Sequence, residues 1–194
     1  MRLIKLRPDQ KDVPDLETAR LHLRRPTMGD FEAWVALRQR SADFLKPFEP
    51  LWPADELSRH SYRERLRRQS ADISSGRALP WFLFDRENDE MVGGLSVTNI
   101  RRGVAQAGTV GYWMGVEHAG QGLMAEALAA CCTYCFRHAG LNRLEAGTVL
   151  RNERSQRLLR KTGFVEEGIA RAYLCINGTW EDHILFAKLA SDAP

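Results

Sequence analysis

The spacing of apolar and polar residues changes period several times along the chain, and each change marks an element. Residues 18–25 alternate, Leu21 and Leu23 against His22 and Arg24, which predicts a half-buried strand ended by Pro26. Asp30 is placed to cap a helix running to about Ser41, with Phe31, Trp34, Val35 and Leu37 as its apolar contacts. The segment Phe44-Leu45-Lys46-Pro47-Phe48-Glu49-Pro50-Leu51-Trp52-Pro53 holds three prolines and is expected to be irregular. An arginine-rich helix is predicted over 55–73. Extended patterns then cover 80–85 and 91–100, joined by the polar turn 86–90, and a third strand covers 108–116. Small and apolar residues dominate 123–138, which predicts a long, well-buried helix. A strand at 144–149 follows, then a short helix that Asn152 starts and Gly163 stops. Two final strands, 169–176 and 179–189, flank Asn177-Gly178, a strong hairpin signal.

The order is strand, two helices, three-strand meander, helix, strand, helix, hairpin. It predicts an α/β (α+β) protein, a mixed sheet with helices on its faces. At 194 residues, a single domain over 1–194 is expected. A composition 44% hydrophobic and 27% charged is that of a folded globular chain. Residues 1–11 hold Arg2, Lys5, Arg7 and Lys11 with no long apolar run, so no secretory signal is read there. No window reaches the roughly 18–20 apolar residues of a membrane span. A cytoplasmic protein with reduced thiols is expected. Cys131, Cys132 and Cys135, with His138, lack the paired spacing of a zinc site and read as core residues, so no metal is expected. A net charge of +3 suits an anionic ligand without requiring one.

The most informative stretch leads from the strand at 108–116 through Glu117-His118-Ala119-Gly120-Gln121-Gly122 into the long helix. Glycine lets backbone amides approach a bulky anion, and a helix start adds unpaired N–H groups and a positive dipole end. Together they suit a phosphate or pyrophosphate. A tight strand-to-helix turn explains a Gly-x-Gly pair equally well. A dinucleotide fingerprint fits less well, since Ala125 replaces its third glycine and no ribose-binding acid follows an early βαβ unit. The Lys-Ser/Thr pair of a P-loop is missing.

The element order and the 111–127 segment resemble the GCN5-related N-acetyltransferase (GNAT) family, whose loop runs Gln/Arg-x-x-Gly-x-Gly/Ala. Glu117 departs from its first position; both glycines are kept. The 44–50 segment, Gln121-Gly122-Leu123-Met124, Asn152-x-x-Ser155 followed by Gly163-Phe164, and Asn177-Gly178-Thr179-Trp180-x-Asp182-His183 are similar to the RimJ-like, ribosomal-protein-alanine branch. The resemblance covers nearly the whole chain. It implies a mostly antiparallel sheet of about seven strands, splayed between two central parallel strands, and acetyl-CoA as co-substrate.

The resemblance also implies site roles. Tyr112, Trp113, Met114 and Val116 line the slot for the acetyl-pantetheine arm, with amides near Met114 facing the thioester carbonyl. Ala119, Gly120, Gln121, Gly122, Leu123 and Met124 hold the pyrophosphate, and Asn152 and Ser155 complete the cofactor site. Ser155 is the expected proton donor to the departing CoA thiolate. Phe48, Glu49, Tyr173 and Trp180 are expected to bind the acceptor amine. Glu49 and Asp182, with Glu145 and His183, are candidates for its general base. Solvation, core packing, an N-cap role for Asn152 and an Arg143–Glu145 ion pair are the plainer explanations of these residues. The expected acceptor is the N-terminal α-amine of a ribosomal protein. A small-molecule amine such as a polyamine or antibiotic, and a non-catalytic acyl-CoA sensor, are the alternatives. The arginines at 63–68 and 151–160 suit transient proximity to ribosomal RNA or a CoA phosphate, though solvated helix faces explain most of them. No membrane contact is expected, and both a monomer and a homodimer are compatible with the sequence.

Overall fold

The computed structural model describes residues 13–192. Two short strands, β1 (Leu16–Glu17) and β2 (Leu21–Arg24), lead into α1 (Phe31–Arg40), the single-turn α2 (Ala42–Leu45) and α3 (Arg59–Ser74). A meander follows: β3 (Leu79–Asp85), β4 (Met91–Arg101) and β5 (Ala107–Met114). Then come α4 (Leu123–Arg137), β6 (Arg143–Val149), α5 (Glu153–Lys161), β7 (Val165–Ile176) and β8 (Thr179–Leu189). All eight strands form one sheet in the order β1-β2-β3-β4-β5-β6-β8-β7.

Most predicted elements are present, with shifted edges. The arginine-rich helix starts at Arg59 rather than 55, because the Ser58 hydroxyl caps it by accepting from the Ser61 amide at 3.1 Å. The proline segment is less irregular than expected at its start, where α2 and a 3-10 turn (Lys46–Phe48) precede Pro50 and Pro53. The two-residue β1, too short to carry a period, makes the sheet eight-stranded.

Alternation within the strands builds two cores on opposite faces. Trp81 and Leu83 of β3 join a large cluster with Leu123, Leu128 and Cys131 of α4 and Leu159 of α5. Phe82 and Phe84, one residue out of phase, join Phe31, Trp34 and Leu37 of α1 and Tyr62 of α3. A strand covered on both faces reads as a continuous apolar run, as 79–84 does. Cys131, Cys132 and Cys135 are buried in the α4 core. A hydrogen bond with Cys135 and burial push the Cys131 thiol up, and burial pushes Cys132 up to about 12, so both pack as neutral groups.

The central strands part company partway along their length. β5 and β6 are parallel, and they pair only over Ala107–Thr109 and Arg143–Glu145. Beyond that point β5 stays bonded to β4 as far as Met114, and β6 stays bonded to β8 as far as Val149. Between them the sheet opens into a gap.

Candidate active site

The glycine turn lies at the open end of that gap. Gly120 and Gly122 have φ of +81° and +82°, in the left-handed region that costs other residues about 1–2 kcal/mol. Gly122 is the N-cap of α4 and brings no side-chain acceptor. The first intrahelical bond runs from the Glu126 amide to the Gly122 carbonyl, 3.2 Å, so the amides of Leu123, Met124 and Ala125 have no partner within the helix. A self-capped helix would have used these donors; here they remain at the positive dipole end, an arrangement that could hold an anion.

The turn is anchored from behind by a residue 101 positions away. Arg20 donates to the Gln121 carbonyl at 3.1 Å, and its amide and Nε each donate to the Glu126 carboxylate at 2.8 Å. Turning the Gln121 carbonyl toward Arg20 points the Gly122 amide, trans to it across the same planar peptide, the other way. Partial burial works against the Glu126 anion, but hydrogen bonds from Thr18 and Arg20 outweigh it and hold its pKa below the usual carboxylate value. Ser41, fully buried, accepts from the Val116 amide at 3.0 Å. Glu117, at the family's Gln/Arg position, is held by Arg40 at 3.1 Å, while its carbonyl accepts from Gln121 Nε2 at 2.9 Å.

Inside the gap, Tyr112 Oη and Ser155 Oγ are 2.7 Å apart. Asn152 caps α5, its Oδ1 accepting from the Ser155 amide at 3.2 Å, which fixes Ser155 in the first turn. Burial pushes the Tyr112 phenol up to about 12 against the opposing hydrogen bond with Ser155, so the pair holds its protons near neutral pH. Amides along an antiparallel ladder point alternately to either side. The Gly115 amide bonds back to Val92 on the β4 side, so the amides of Met114 and Tyr112 face the gap.

The residues 20–165 match the family model described as an acetyltransferase (GNAT) domain. The ribosomal protein uS5-alanine N-acetyltransferase of Escherichia coli (strain K12) is 35% identical over 179 residues, 91% of each chain. A probable N-acetyltransferase of Bacillus subtilis (strain 168), YjcK, is 33% identical over 89% of this chain and 95% of its own. The solved structure of Mycobacterium smegmatis RimJ in complex with a CoA disulfide superposes with a TM-score of 0.85 at 32% identity, covering 94% of this chain and 88% of that one. The chain belongs to the GNAT family of N-acetyltransferases. The element order and the glycine loop imply the same family.

The structure gives two of the candidate carboxylates partners of their own. Glu49 does not present a free carboxylate. Its two oxygens accept from Arg38 at 2.7 and 2.6 Å and from Trp52 Nε1 at 2.8 Å. Arg38 is itself 4% exposed and stacked among indoles, 4.2 Å from the Trp52 ring and 5.1 Å from Trp113. The pair ties the 46–52 segment to α1 and β5, and three donors already occupy the Glu49 carboxylate. Asp182 likewise serves the backbone. Its Oδ1 accepts from the Ala172 amide at 2.8 Å, where β7 bulges and Ala172 takes φ +45°. It lies on the opposite side of β8 from His183, because strand side chains alternate. Glu145 is held below the usual carboxylate range by Arg143 and Arg101, despite the opposing effect of burial. This is the salt-bridge alternative that its sequence neighbour suggested.

Other residues fall around the gap as their positions allow. Phe48 lies beside the Arg151 guanidinium, which also bonds to the Pro47 carbonyl and to Glu181, and the Glu49 carbonyl accepts from the Asn177 amide at 2.9 Å. The proline segment is thus fastened to the final hairpin. Tyr173 sits edge-on to His183, 5.6 Å between ring centres, above Gly147 of β6. Trp180 is 67% exposed near the hairpin tip. Several arginines of the two basic helices already have acidic partners: Arg65 with Glu56, Arg67 with Glu64, Arg157 with Glu153 and Arg160 with Glu166. Sequence reasoning missed Arg20, Arg38 and Ser41, and no local signal announces them, because their partners lie 101–106, 11 and 75 residues away.

Proposed function

We propose that this enzyme transfers the acetyl group of acetyl-CoA to the N-terminal α-amine of a ribosomal protein, by direct attack in a ternary complex. The single observation that carries the reading is the opened β5–β6 pair beside an anchored turn of outward-facing amides. In it, Gly120 to Met124 hold the pyrophosphate, and Tyr112, Trp113, Met114 and Val116 line the pantetheine arm. The Met114 amide receives the thioester oxygen as negative charge develops on it. The amine nitrogen forms a bond to the carbonyl carbon, the C–S bond breaks, and the sulfur takes the electron pair. Ser155, backed by Tyr112, protonates that sulfur.

A ribosomal N-terminus as acceptor is favoured by the named activity of the E. coli relative and by Phe48 and Tyr173 beside the gap, while Trp180 shares the other side of β8 with Asp182. An α-amine, with an ordinary pKa near 7.7–8.0, also needs less help to lose its proton than a lysine near 10.4. A cytoplasmic location follows from such a substrate; among the described residues no helix is long and apolar enough to cross a membrane.

The decisive experiment supplies acetyl-CoA with peptides and small amines, and follows CoA thiol release and the mass of the acceptor. Acetylation of an Ala- or Ser-starting peptide, with polyamines inert, is the expected result. Turnover with polyamines alone would transfer the reading to a small-molecule amine. Tight CoA binding with no turnover on any amine would favour a sensor.

A further inference from the structure

The gap has two faces, and each carries one group suited to a proton transfer. Tyr112 packs with the α4 core, on the face where Ser155 meets it. Trp113, one residue on, packs with the α1 core on the other face. In β6, Leu144 and Ala146 belong to the α4 core, so Glu145, Gly147 and Val149 point to the opposite face. Residues paired across an antiparallel ladder share a face, and Val149 pairs with His183 of β8. His183 therefore sits on the face opposite the glycine turn, where β6 borders the gap. Continuing the β5–β6 register past Thr109 and Glu145 brings Val149 level with Trp113, beside the amide expected to hold the thioester oxygen.

The chemistry of His183 fits that place. Its Nδ1 is 2.9 Å from the Glu181 carbonyl, which can only accept, so Nδ1 donates there and Nε2 is the nitrogen left to exchange a proton. Among the described residues Nε2 has no hydrogen-bond partner, and it is absent from the polar atoms sealed off from solvent, although the residue as a whole is only 2% exposed. Tyr173 stands edge-on to the ring and restricts its rotation. The other candidate acids, Glu49, Glu145 and Asp182, each have partners elsewhere, and the neighbouring Glu181 carboxylate pairs with Arg151.

We infer that His183 is the general base that accepts the proton of the attacking amine, on the face of the sheet opposite the Ser155–Tyr112 donor. The inference rests on the acetyl transfer proposed above. The amine approaches from the α1 face and its nitrogen bonds to the carbonyl carbon. One N–H proton passes to His183 Nε2. The thiolate departs toward the α4 face and takes its proton from Ser155. Exchange with solvent then returns the proton from His183 and replaces the one that Ser155 lost.

The experiment compares wild type, His183→Ala and His183→Gln with acetyl-CoA and an Ala-starting peptide. Both variants should lose about 100-fold in kcat, with CoA affinity by calorimetry unchanged. Added imidazoles should restore His183→Ala at rates that rise with their basicity, a response that a merely space-filling role would not give. Wild-type kcat in either variant, or rescue indifferent to basicity, overturns the inference. If wild type acetylates no peptide, the transfer reading fails separately. The slow hydrolysis of acetyl-CoA, with water in place of the amine, then reads His183: loss in His183→Ala supports it and an unchanged rate overturns it.

Discussion

Tyr112 and Ser155 come from different elements and meet across the opened strands, hydroxyl to hydroxyl at 2.7 Å. The contact places two hydroxyl donors in series, where the proposed reaction would release its thiolate. Ser155→Ala should lower kcat by about 100-fold while leaving acetyl-CoA affinity nearly unchanged. Tyr112→Phe should cost less, because Ser155 still reaches the sulfur. Steady-state kinetics with CoA titration calorimetry separates the two effects. Loss of affinity without loss of kcat would assign the pair to binding.

The Tyr112 phenol also predicts a response to alkali. Burial raises it from an ordinary 10 to about 12, so the folded protein holds this proton more tightly than the unfolded chain does. Its contribution to stability is intact below pH 10 and is lost as pH rises toward 12. Burial raises Tyr62 in the same direction. Urea melts between pH 9 and 11 should show falling stability, and Tyr112→Phe should flatten part of the fall.

Replacing either glycine of the turn tests the backbone argument. Gly120→Ala meets no atom within 4 Å, and Gly122→Ala meets only the end of Arg20 at 3.6 Å, so neither creates a clash. Each forces alanine to a positive φ at about 1–2 kcal/mol. Melting temperature should fall by about 2–4 °C for each kcal/mol lost, and CoA affinity should fall with it. Full CoA affinity in both variants would contradict the proposed use of the turn.

Arg20 and Glu126 are the turn's anchor. Glu126 is held ionised below its ordinary range, so the anchor is present above that range and is lost as pH falls through the lowered value. Arg20→Ala should raise KM for acetyl-CoA with little change in kcat. In wild type the same KM should rise in acid, and Glu126→Gln should remove that dependence. A pH profile of KM measures both.

Glu49 separates structure from chemistry. Glu49→Ala leaves the buried Arg38 guanidinium without its counter-charge, which should destabilise the protein by roughly 3 kcal/mol in denaturant unfolding. The folded fraction should still turn over, because the carboxylate is already engaged by Arg38 and Trp52. Loss of kcat with unchanged stability would restore Glu49 to the mechanism.

Local pattern carried most of the fold. The period-2 runs of β3 to β5, the Asn177-Gly178 turn, the Asn152 cap and the Gly-x-Gly entry into α4 are each decided within a few residues, by pleat, turn chemistry and helix capping. The glycine loop was readable for the same reason: an anion site made of backbone needs only the right φ angles and a helix start, and glycine records both. Side-chain roles were less legible. Glu49, Asp182 and Glu145 have the same functional group, and nothing in their neighbours of sequence says which finds an arginine, an amide or open space.

The sequence by itself determined the elements, the two apolar faces of the central strands and the glycine turn, since these follow from interactions between residues close along the chain. Only the tertiary structure decided where the parallel pair stops pairing, that Arg20 fastens the turn, that Tyr112 reaches Ser155, and that Glu49 is spent on Arg38. Those outcomes depend on which distant groups share a desolvated space, where an unpaired charge or polar atom is costly and the nearest complementary partner claims it.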